Sequence, residues 1–356
     1  MALNYMEQSE SNPPSFHYWK NPEPADIGET AFEFLKLLAG PTHIHLSGKD
    51  SSRCRAIATL LHGNEPSGLY GVFNAIKQKV EPLVDIHIFI PSVDAAKQEP
   101  GFIYRMLPHQ KDINRCFSPP FGDTEQDLLA KELLGKLEEL NPECVIDIHN
   151  TSGSSPSFGV TTFMDERHDA LVSLFTHRLI VTDLLLGSLM EISEHMMPTV
   201  TIECGGAQDR ESNEMATDGI RKYFTIDNVF SEEHSELSLE SFHNPLRLEL
   251  LEGSDIAYGS YCLMKDGVTL LPEIEHFNFG YINPEDKLGF VSGDLAANLT
   301  VMDTQGNERI FDYFQLIDGE LYTTKQLKLF MVTTNPEIAR KDCLLYLAEP
   351  EDSQIQ

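Results

Sequence analysis

Residues 53–65 read RCRAIATLLHGNE, a mostly apolar run that breaks abruptly after Leu61. The apolar part is compatible with a buried β-strand. A helical pattern follows over Leu69–Val80, and Val84–Ile90 then alternates like a second strand. Strand, helix and strand in this order are typical of an α/β domain.

The same alternation continues along the chain. Asp127–Leu140 has the spacing of an amphipathic helix that ends before Pro142. Cys144–Ile148 (CVIDI) predicts a short buried strand, and Val200–Glu203 ends another. We therefore predict a largely parallel or mixed central sheet flanked by helices. Residues 1–25 carry several prolines without periodicity and predict an arm or a loop.

Beyond residue 235 the character of the sequence changes. A polar, acidic stretch is followed by short strand-like pieces separated by Gly, Pro, Asn and Asp, and few helical patterns remain. We predict an α/β domain over residues 1–235 and a smaller, mainly β domain over residues 236–356. The strand-like pieces are Pro245–Leu251, Gly267–Leu271, Gly289–Val291, Ala297–Met302 and Gly319–Tyr322.

The chain carries 56 acidic and 26 basic residues, a formal net charge of −30. A surface this negative repels phosphate backbones and anionic lipids, which argues against nucleic-acid and membrane partners. No apolar stretch is long enough for a membrane helix, and the N-terminus lacks the pattern of a secretory signal. The six cysteines lie far apart without a C-x-x-C pair. We therefore expect free thiols and a cytoplasmic location, and the sequence leaves a homo-oligomer open.

The break after the first strand brings two candidate metal ligands. His62 and Glu65 are three residues apart, which can place an imidazole nitrogen and a carboxylate oxygen on one ion. Zinc binds such mixed ligands tetrahedrally. The pattern H-x-x-E also occurs by chance, so a metal site needs further ligands from elsewhere in the chain.

A second apolar strand ends on a histidine, His149 in CVIDIHN. In open α/β sheets the ligand crevice lies at the carboxyl ends of the strands, where His149 can meet His62. Asp147 lies on the same face of the strand and can hydrogen-bond a ligand imidazole. A satisfied histidine in a turn is the alternative interpretation of this segment.

A third apolar strand, TVTIECGG over residues 199–206, carries Glu203. A glutamate there is either a structural ion pair or a carboxylate held at a catalytic crevice. If His62, Glu65 and His149 hold a metal ion, its fourth position is left for water. A nearby carboxylate is then needed to move a proton from that water, and Glu203 fits this role.

The segment KDINRCF, residues 111–117, supplies an amide and a cation. Asn114 and Arg115 present a carboxamide and a planar guanidinium, suited to a carboxylate or to the oxygen of a polarised carbonyl. Arg105, earlier in GFIYR, can add a second positive charge. For either arginine, a surface salt bridge is the alternative.

Four segments in this order resemble the succinylglutamate desuccinylase/aspartoacylase family, a branch of the zinc carboxypeptidase clan. The resemblance covers roughly residues 50–230 and implies a zinc carboxypeptidase-like α/β fold. It extends more loosely to the C-terminal β domain, which in this family packs beside the active site and narrows access to it. The segments are HGNEPSG (62–68), DINR (112–115), DIHNTSG (147–153) and TIECGG (201–206).

The resemblance also implies residue roles. Arg105 matches, more loosely, an arginine that precedes the DINR segment in the family. Tyr322, in GELYTTK, is a candidate for the aromatic hydroxyl that the β domain contributes in aspartoacylases. The closer matches are His62, Glu65 and His149 as ligands of one zinc ion per chain, Asn114 and Arg115 as substrate-binding residues, and Glu203 as the catalytic glutamate.

One departure from the family bears on the substrate. Aspartoacylases carry a further arginine shortly before the catalytic glutamate, and it binds the side-chain carboxylate of the substrate. Here residues 189–203 read LMEISEHMMPTVTIE, in which His195 is the only potentially basic group. N-acetylaspartate is therefore not the expected substrate, and succinylglutamate is not secured.

The leading hypothesis is a zinc-dependent deacylase that hydrolyses the amide bond of an N-acyl amino acid or a similar small amide. Glu203 would act as general base and then as general acid, while Arg115 stabilises the oxyanion or holds a substrate carboxylate. One alternative is a small-peptide carboxypeptidase or amidase, which a β domain covering the crevice would restrict to short peptides. Another is a non-catalytic zinc-binding protein, against which the presence of Glu203 and Arg115 argues.

Overall fold

The computed structural model describes residues 15–231, 238–341, 343–350 and 353–355. At its centre lies a ten-stranded mixed sheet, whose strands are numbered here in chain order. In spatial order they are β1 (His17–Lys20), β2 (Thr42–Leu46), β4 (Val84–Ile90), β3 (Asp50–Thr59), β5 (Val145–Thr151), β8 (Thr199–Gly206), β6 (Phe158–Thr161), β7 (Arg178–Val181), β9 (Glu240–His243) and β20 (Ser353–Ile355).

Helices cover both faces of this sheet, as predicted. One face is covered by α1 (Ala31–Leu37), α2 (Ser67–Lys77), α3 (Val93–Lys97), α5 (Glu166–Ser173) and α6 (Arg210–Thr225). The opposite face is covered by α4 (Glu125–Leu140) and by two 3₁₀ segments, Ile113–Arg115 and Leu189–Glu194.

The bounds of α4 show how local sequence sets an element. Thr124 and Asp127 form a capping box at its start, with the Asp127 amide donating to the Thr124 hydroxyl and the Asp127 carboxylate accepting in return. Asn141 ends the helix in the left-handed conformation at φ 45°. Leu129, Leu133 and other apolar side chains of one face pack on the sheet.

Two five-stranded sheets follow the large sheet and share one apolar core. Three short helices accompany them, α7 (Leu295–Asn298), α8 (Ile310–Tyr313) and α9 (Pro336–Lys341), together with the 3₁₀ segment Ile274–Phe277. One sheet contains β13 (Tyr281–Ile282), β18 (Leu327–Phe330), β19 (Leu345–Ala348), β10 (Leu246–Leu250) and β15 (Leu299–Met302). The other contains β11 (Ile256–Tyr258), β12 (Gly267–Leu270), β14 (Gly289–Ser292), β17 (Glu320–Thr323) and β16 (Phe314–Ile317).

The predicted fold class is therefore confirmed: a mixed central sheet flanked by helices, followed by smaller β sheets. The division near residue 235 stays a prediction, because residues 232–237 lie outside the described part. Beyond it, β9 and β20 pair with the large sheet. A cluster containing Phe242 of β9 and Phe330 of β18, whose ring centroids are 4.8 Å apart, packs the large sheet against a C-terminal sheet.

One local prediction was wrong. Residues 1–14 of the predicted N-terminal arm lie outside the described part, but His17–Lys20 is a strand that pairs in parallel with β2. Four residues are too few to show a period, so only the pairing with β2 reveals the strand. The six cysteines form no disulfide, as expected, and four of them are buried; Cys54 is partly exposed and Cys262 is exposed. In the part of the chain that the structure describes, no helix is both long and apolar enough to cross a bilayer.

Candidate active site

The candidate residues gather where three neighbouring parallel strands end. β3, β5 and β8 lie side by side and run in the same direction. His62 follows the end of β3 by three residues, while His149 and Glu203 lie near the ends of β5 and β8. The topology thus brings together residues that are up to 141 positions apart in the sequence.

His62, Glu65 and His149 form one buried group. The two carboxylate oxygens of Glu65 each face one imidazole: Oε1 lies 2.9 Å from His62 Nδ1, and Oε2 lies 2.6 Å from His149 Nδ1. The potential ligand atoms of the three residues all lie within 4.8 Å of one another. Each of the three residues is less than a tenth exposed.

Each imidazole is held from its other side by an aspartate. His62 Nε2 lies 2.9 Å from Asp112 Oδ1, and His149 Nε2 lies 2.8 Å from Asp147 Oδ2. Carboxylates in this position fix the ring orientation and the tautomer of metal-binding histidines. With Nε2 occupied in both rings, both Nδ1 atoms are directed at Glu65.

The electrostatics of the group depend on how its charges are paired. Burial opposes the ionised form of Glu65, but the two imidazoles overcome it and hold the pKa of Glu65 well below its usual range. Burial likewise opposes a charged His149, and the carboxylates of Asp147 and Glu65 overcome it and raise the pKa of His149. The carboxylate of Glu65 therefore stays ionised although it is buried.

This donor set fits a divalent metal ion such as zinc. Two convergent imidazole nitrogens and a carboxylate provide three ligands of the types that zinc binds, and one coordination position is left open. Buried carboxylates are costly unless they are paired or bind a cation, which is consistent with an ion between Glu65 and the two rings. The structure therefore contains a candidate metal centre.

Glu203 lies beside this group and is paired differently. On β8 it is directly opposite His149 of β5. Its Oε2 is buried and has no hydrogen-bond partner among the described residues. Burial, reinforced by the charge of Glu65, raises the pKa of Glu203 to about 7. A carboxyl group with this pKa can both accept and return a proton near neutral pH.

Asn114 and Arg115 occupy the 3₁₀ segment that covers the α4 face of the sheet. The side-chain oxygen of Asn114 accepts from the Leu189 amide at 3.0 Å, so this residue also fixes the neighbouring 3₁₀ segment. The Arg115 guanidinium is half-buried and donates to the Asn114 carbonyl at 2.8 Å. No carboxylate among the described residues lies within ion-pair distance of Arg115, although its charge helps to lower the pKa of Asp112.

The other two predicted residues have partners that the sequence did not indicate. Arg105 lies next to the candidate metal ligands: its Nη1 is 3.3 Å from Glu65 Oε1, and its Nη2 is 3.0 Å from Asp112 Oδ2. The hydroxyl of Tyr322 donates to Glu320 at 2.6 Å, within β17. A substrate contact for either residue stays a prediction.

Two residues at the site were missed from the sequence. Asp112, which holds His62, stands within the KDINR segment, but only the two residues Asn114 and Arg115 were interpreted there. Asn150 follows His149 directly; its side chain accepts from the Ser67 amide at 3.0 Å and donates to the Gly205 carbonyl at 2.9 Å. It thereby ties the start of α2 to the end of β8. Both residues stand within two positions of a proposed site residue, and this proximity was the only sequence feature that could have indicated them.

The C-terminal sheets contact the loop that follows His149. Asn278 donates from Nδ2 to the Ser154 carbonyl at 2.8 Å, and the Glu275 carboxylate accepts from the Ser154 amide at 3.3 Å. A cavity of about 630 Å³ lies along this contact and is lined by Cys204, Ser212 and Met215 among others, but by none of the candidate site residues. Side chains alternate along a strand, so Cys204 and its neighbour Glu203 face opposite sides of the sheet. Contact of the C-terminal part with the candidate site therefore stays a prediction.

The fold and the site together define an α/β protein with a His–Glu–His group at the carboxyl edge of its sheet. No family model matches the chain, and no curated protein matches it in sequence. Solved structures of succinylglutamate desuccinylases and aspartoacylases share its fold, which confirms the resemblance seen in the four sequence segments at the level of fold.

Three of these structures illustrate the likeness. A succinylglutamate desuccinylase from Vibrio parahaemolyticus matches with a TM-score of 0.56 at 12% identity, over 92% of this chain and 99% of its own. A succinylglutamate desuccinylase/aspartoacylase from Rhodobacter sphaeroides matches with 0.53 at 14% identity, over 86% and 87%. Murine aminoacylase 3 matches with 0.53 at 14% identity, over 87% and 97%.

Proposed function

We propose that this protein is a zinc-dependent deacylase of the succinylglutamate desuccinylase/aspartoacylase family that hydrolyses the amide bond of an N-acyl amino acid or a similar small amide. The observation that carries the proposal is a His–Glu–His group next to Glu203, whose Oε2 is buried and has no hydrogen-bond partner among the described residues. A ligand set with an open position beside a proton acceptor is what metal-assisted amide hydrolysis requires.

His62, Glu65 and His149 would hold the ion, and Asp112 and Asp147 would fix the two imidazoles from behind. A bound zinc ion polarises a carbonyl group and lowers the pKa of water. Glu203 takes the proton from the attacking water and then donates it to the amine nitrogen as the carbon–nitrogen bond breaks. Burial raises the pKa of Glu203, which favours uptake of the proton by the carboxylate, and the resulting acid can release it to the amine.

Arg115 supplies the positive charge for the substrate. Its guanidinium forms no ion pair among the described carboxylates, so it can bind a substrate carboxylate or the oxyanion through two parallel hydrogen bonds. The segment before Glu203 offers no second arginine, and the side chain of His195 there is 79% exposed. The proposed substrates are therefore acyl amino acids that need no second fixed carboxylate contact.

The test is amine release from a panel of N-acyl amino acids and short dipeptides, using chelated and zinc-reconstituted protein. We expect release from acyl amino acids that depends on zinc and falls by roughly 10²–10⁴-fold in Glu203→Gln, the usual contribution of a general acid–base residue. Glu138→Gln, an exposed change on α4, is the matched control and should retain full activity. Release that survives in Glu203→Gln, or no release from any substrate by zinc-loaded protein, would contradict the proposal.

A further inference from the structure

A second group of potential metal ligands lies on β2 and β4, away from the candidate active site. His45 of β2 is directly opposite His87 of β4, and Asp85 lies two residues before His87. Because side chains alternate along a strand, all three project from the same face of the sheet. His87 pairs with Ala56 of β3, which lies six residues before His62. The His45–Asp85–His87 group and the candidate active site are therefore separated along the direction of the strands.

The three side chains converge closely. His45 Nε2 lies 2.9 Å from Asp85 Oδ2, and the rings of His45 and His87 are stacked with centroids 4.4 Å apart. Their potential ligand atoms all lie within 4.8 Å of one another. Two imidazole nitrogens and one carboxylate oxygen are therefore close enough together to be ligands of one ion.

The surroundings resemble those of a metal-binding histidine pair. His45 Nδ1 lies 2.8 Å from the Tyr18 hydroxyl, and His87 Nδ1 lies 3.0 Å from His43 Nε2. Partners on these nitrogens orient the two rings, and Nε2 of His45 is directed at Asp85. The pairing of His87 with His43 therefore orients the ligand without consuming its Nε2.

The group is largely buried, and solvent reaches it at Asp85. His45 and His87 are each no more than 9% exposed, while the Asp85 side chain is 13% exposed and borders solvent. A neutral imidazole with a free lone pair is the metal-binding form of histidine.

Packing alone does not require the two histidines. Ile44, Ile86 and Ile88 alternate with them on the same two strands and fill the core on the opposite face. Apolar side chains at positions 45 and 87 would satisfy the same pleated, mostly buried surface. Asp85 also has a local structural role, because its Oδ1 accepts from the Gly48 amide at 2.8 Å while its Oδ2 faces His45. The two facing histidines therefore point to a purpose other than packing.

We propose that His45, Asp85 and His87 form a second site for a divalent transition-metal ion. Two imidazoles and a carboxylate suit Zn²⁺, Co²⁺, Ni²⁺ or Cu²⁺, whose affinities for nitrogen ligands exceed those of Mg²⁺ and Ca²⁺. The partly exposed Asp85 leaves a coordination position for water. An ion there joins β2 to β4 and, through Tyr18, reaches the edge strand β1.

The test uses the full-length chain, stripped of metal and then titrated with Co²⁺ and Zn²⁺, with bound metal counted after equilibrium dialysis. We expect the wild type to bind two ions per chain, and His87→Gln and Asp85→Asn to bind one. His195→Gln changes an exposed histidine outside both groups and is the matched control, expected to bind two. The visible absorption of the second Co²⁺ ion should be absent in both cluster variants.

The test of the second metal site does not depend on whether the proposed deacylase function is correct. His62→Gln should keep the ion at His45 and His87 even if the candidate active site binds none. Thermal unfolding of the metal-free protein shows whether each variant is folded. If His87→Gln is not folded, the conclusion is drawn from Asp85→Asn. Metal stoichiometry and Co²⁺ absorption that are unchanged in both folded cluster variants would overturn the second site.

Discussion

His149 and Glu203 lie directly opposite each other on the adjacent parallel strands β5 and β8. The first is hydrogen-bonded on both ring nitrogens, whereas the second has a buried oxygen without a partner among the described residues. Register alone thus places a proposed ligand next to a proposed proton carrier. Apart from Glu203 itself, which is partly exposed, both strands are buried along their length, which keeps that register fixed.

The Asp147→Asn change tests how the proposed ligand His149 is oriented. Asparagine keeps the size of Asp147 but loses the charge that accepts from His149 Nε2. We expect zinc affinity to fall by roughly 10–100-fold, the usual effect of removing a partner of a ligand histidine. Zinc affinity is measured by competition with a chelator of known strength.

Asp183→Asn, on the surface after β7, is the control for this change and should leave the affinity unaltered. Unchanged zinc affinity in Asp147→Asn would mean that this hydrogen bond does not support a metal ligand.

The Arg115→Lys change tests the proposed substrate contact. Lysine keeps the charge but cannot provide two parallel hydrogen bonds in a plane. We expect kcat/KM to fall by about 10–100-fold, in line with losing a hydrogen bond to a charged group. A rise in KM alone would identify a ground-state carboxylate contact, and a fall in kcat would identify oxyanion stabilisation.

Arg221→Lys, a half-exposed change on α6, is the matched control and should leave both constants unchanged. Steady-state kinetics on the best substrate of the panel provide the measurement. Full activity in Arg115→Lys would exclude the bidentate contact.

The Gly63→Ala change tests how tightly the loop between the two proposed ligands is packed. An added Cβ would lie 2.6 Å from the Ala96 amide nitrogen and 2.7 Å from the Tyr104 carbonyl oxygen. Backbone atoms cannot move aside as a flexible side chain can, so we expect a loss of about 1–3 kcal/mol in the free energy of unfolding. Urea denaturation measures it.

Gly135→Ala is the matched control, because no atom lies within 4 Å of a Cβ added there on α4. Alanine should stabilise that helix by about 0.5–1 kcal/mol. Equal stability of Gly63→Ala and wild type would show that the loop can rearrange.

The His43→Gln change tests the acid stability of the cluster on β2 and β4. Burial, then the charges of His87, His45 and Lys136, lower the pKa of His43 from 6.5 to about 3. Between these values the unfolded chain binds a proton that the folded protein excludes. The stabilising contribution is therefore complete above pH 6.5 and is lost as the pH falls towards 3.

We expect the free energy of unfolding of the metal-free protein to decrease less steeply between pH 6.5 and 4 in His43→Gln than in the wild type. Denaturation at several pH values in the presence of a chelator provides the comparison, and titration of the shared carboxylates cancels in the difference. His195→Gln should follow the wild type. Parallel pH profiles for wild type and His43→Gln would show that His43 titrates normally when the chain is folded.

Local sequence determined much of the fold. The strand Val84–Ile90 has the bounds that its alternation predicts, and α4 ends at Leu140, directly before Asn141 and Pro142, as these breaker residues indicate. The short segments HGNE, DIHN and TIE were also sufficient to indicate His62, Glu65, His149 and Glu203 as candidate site residues. These features depend on residues that are close together in the sequence. Hydrophobic period, helix capping and strand ends can therefore be predicted from the sequence alone.

Only the tertiary structure decided which distant side chains share a contact. The facing of His45 by His87 depends on strand order and register. The pairing of Asp112 with His62 and the approach of Arg105 to Glu65 depend on how the loops beyond the strand ends fold over one another. Such contacts join residues with no fixed sequence separation, so no local period encodes them. The sequence by itself therefore identified the proposed catalytic residues, whereas the tertiary structure supplied their partners and the second ligand group.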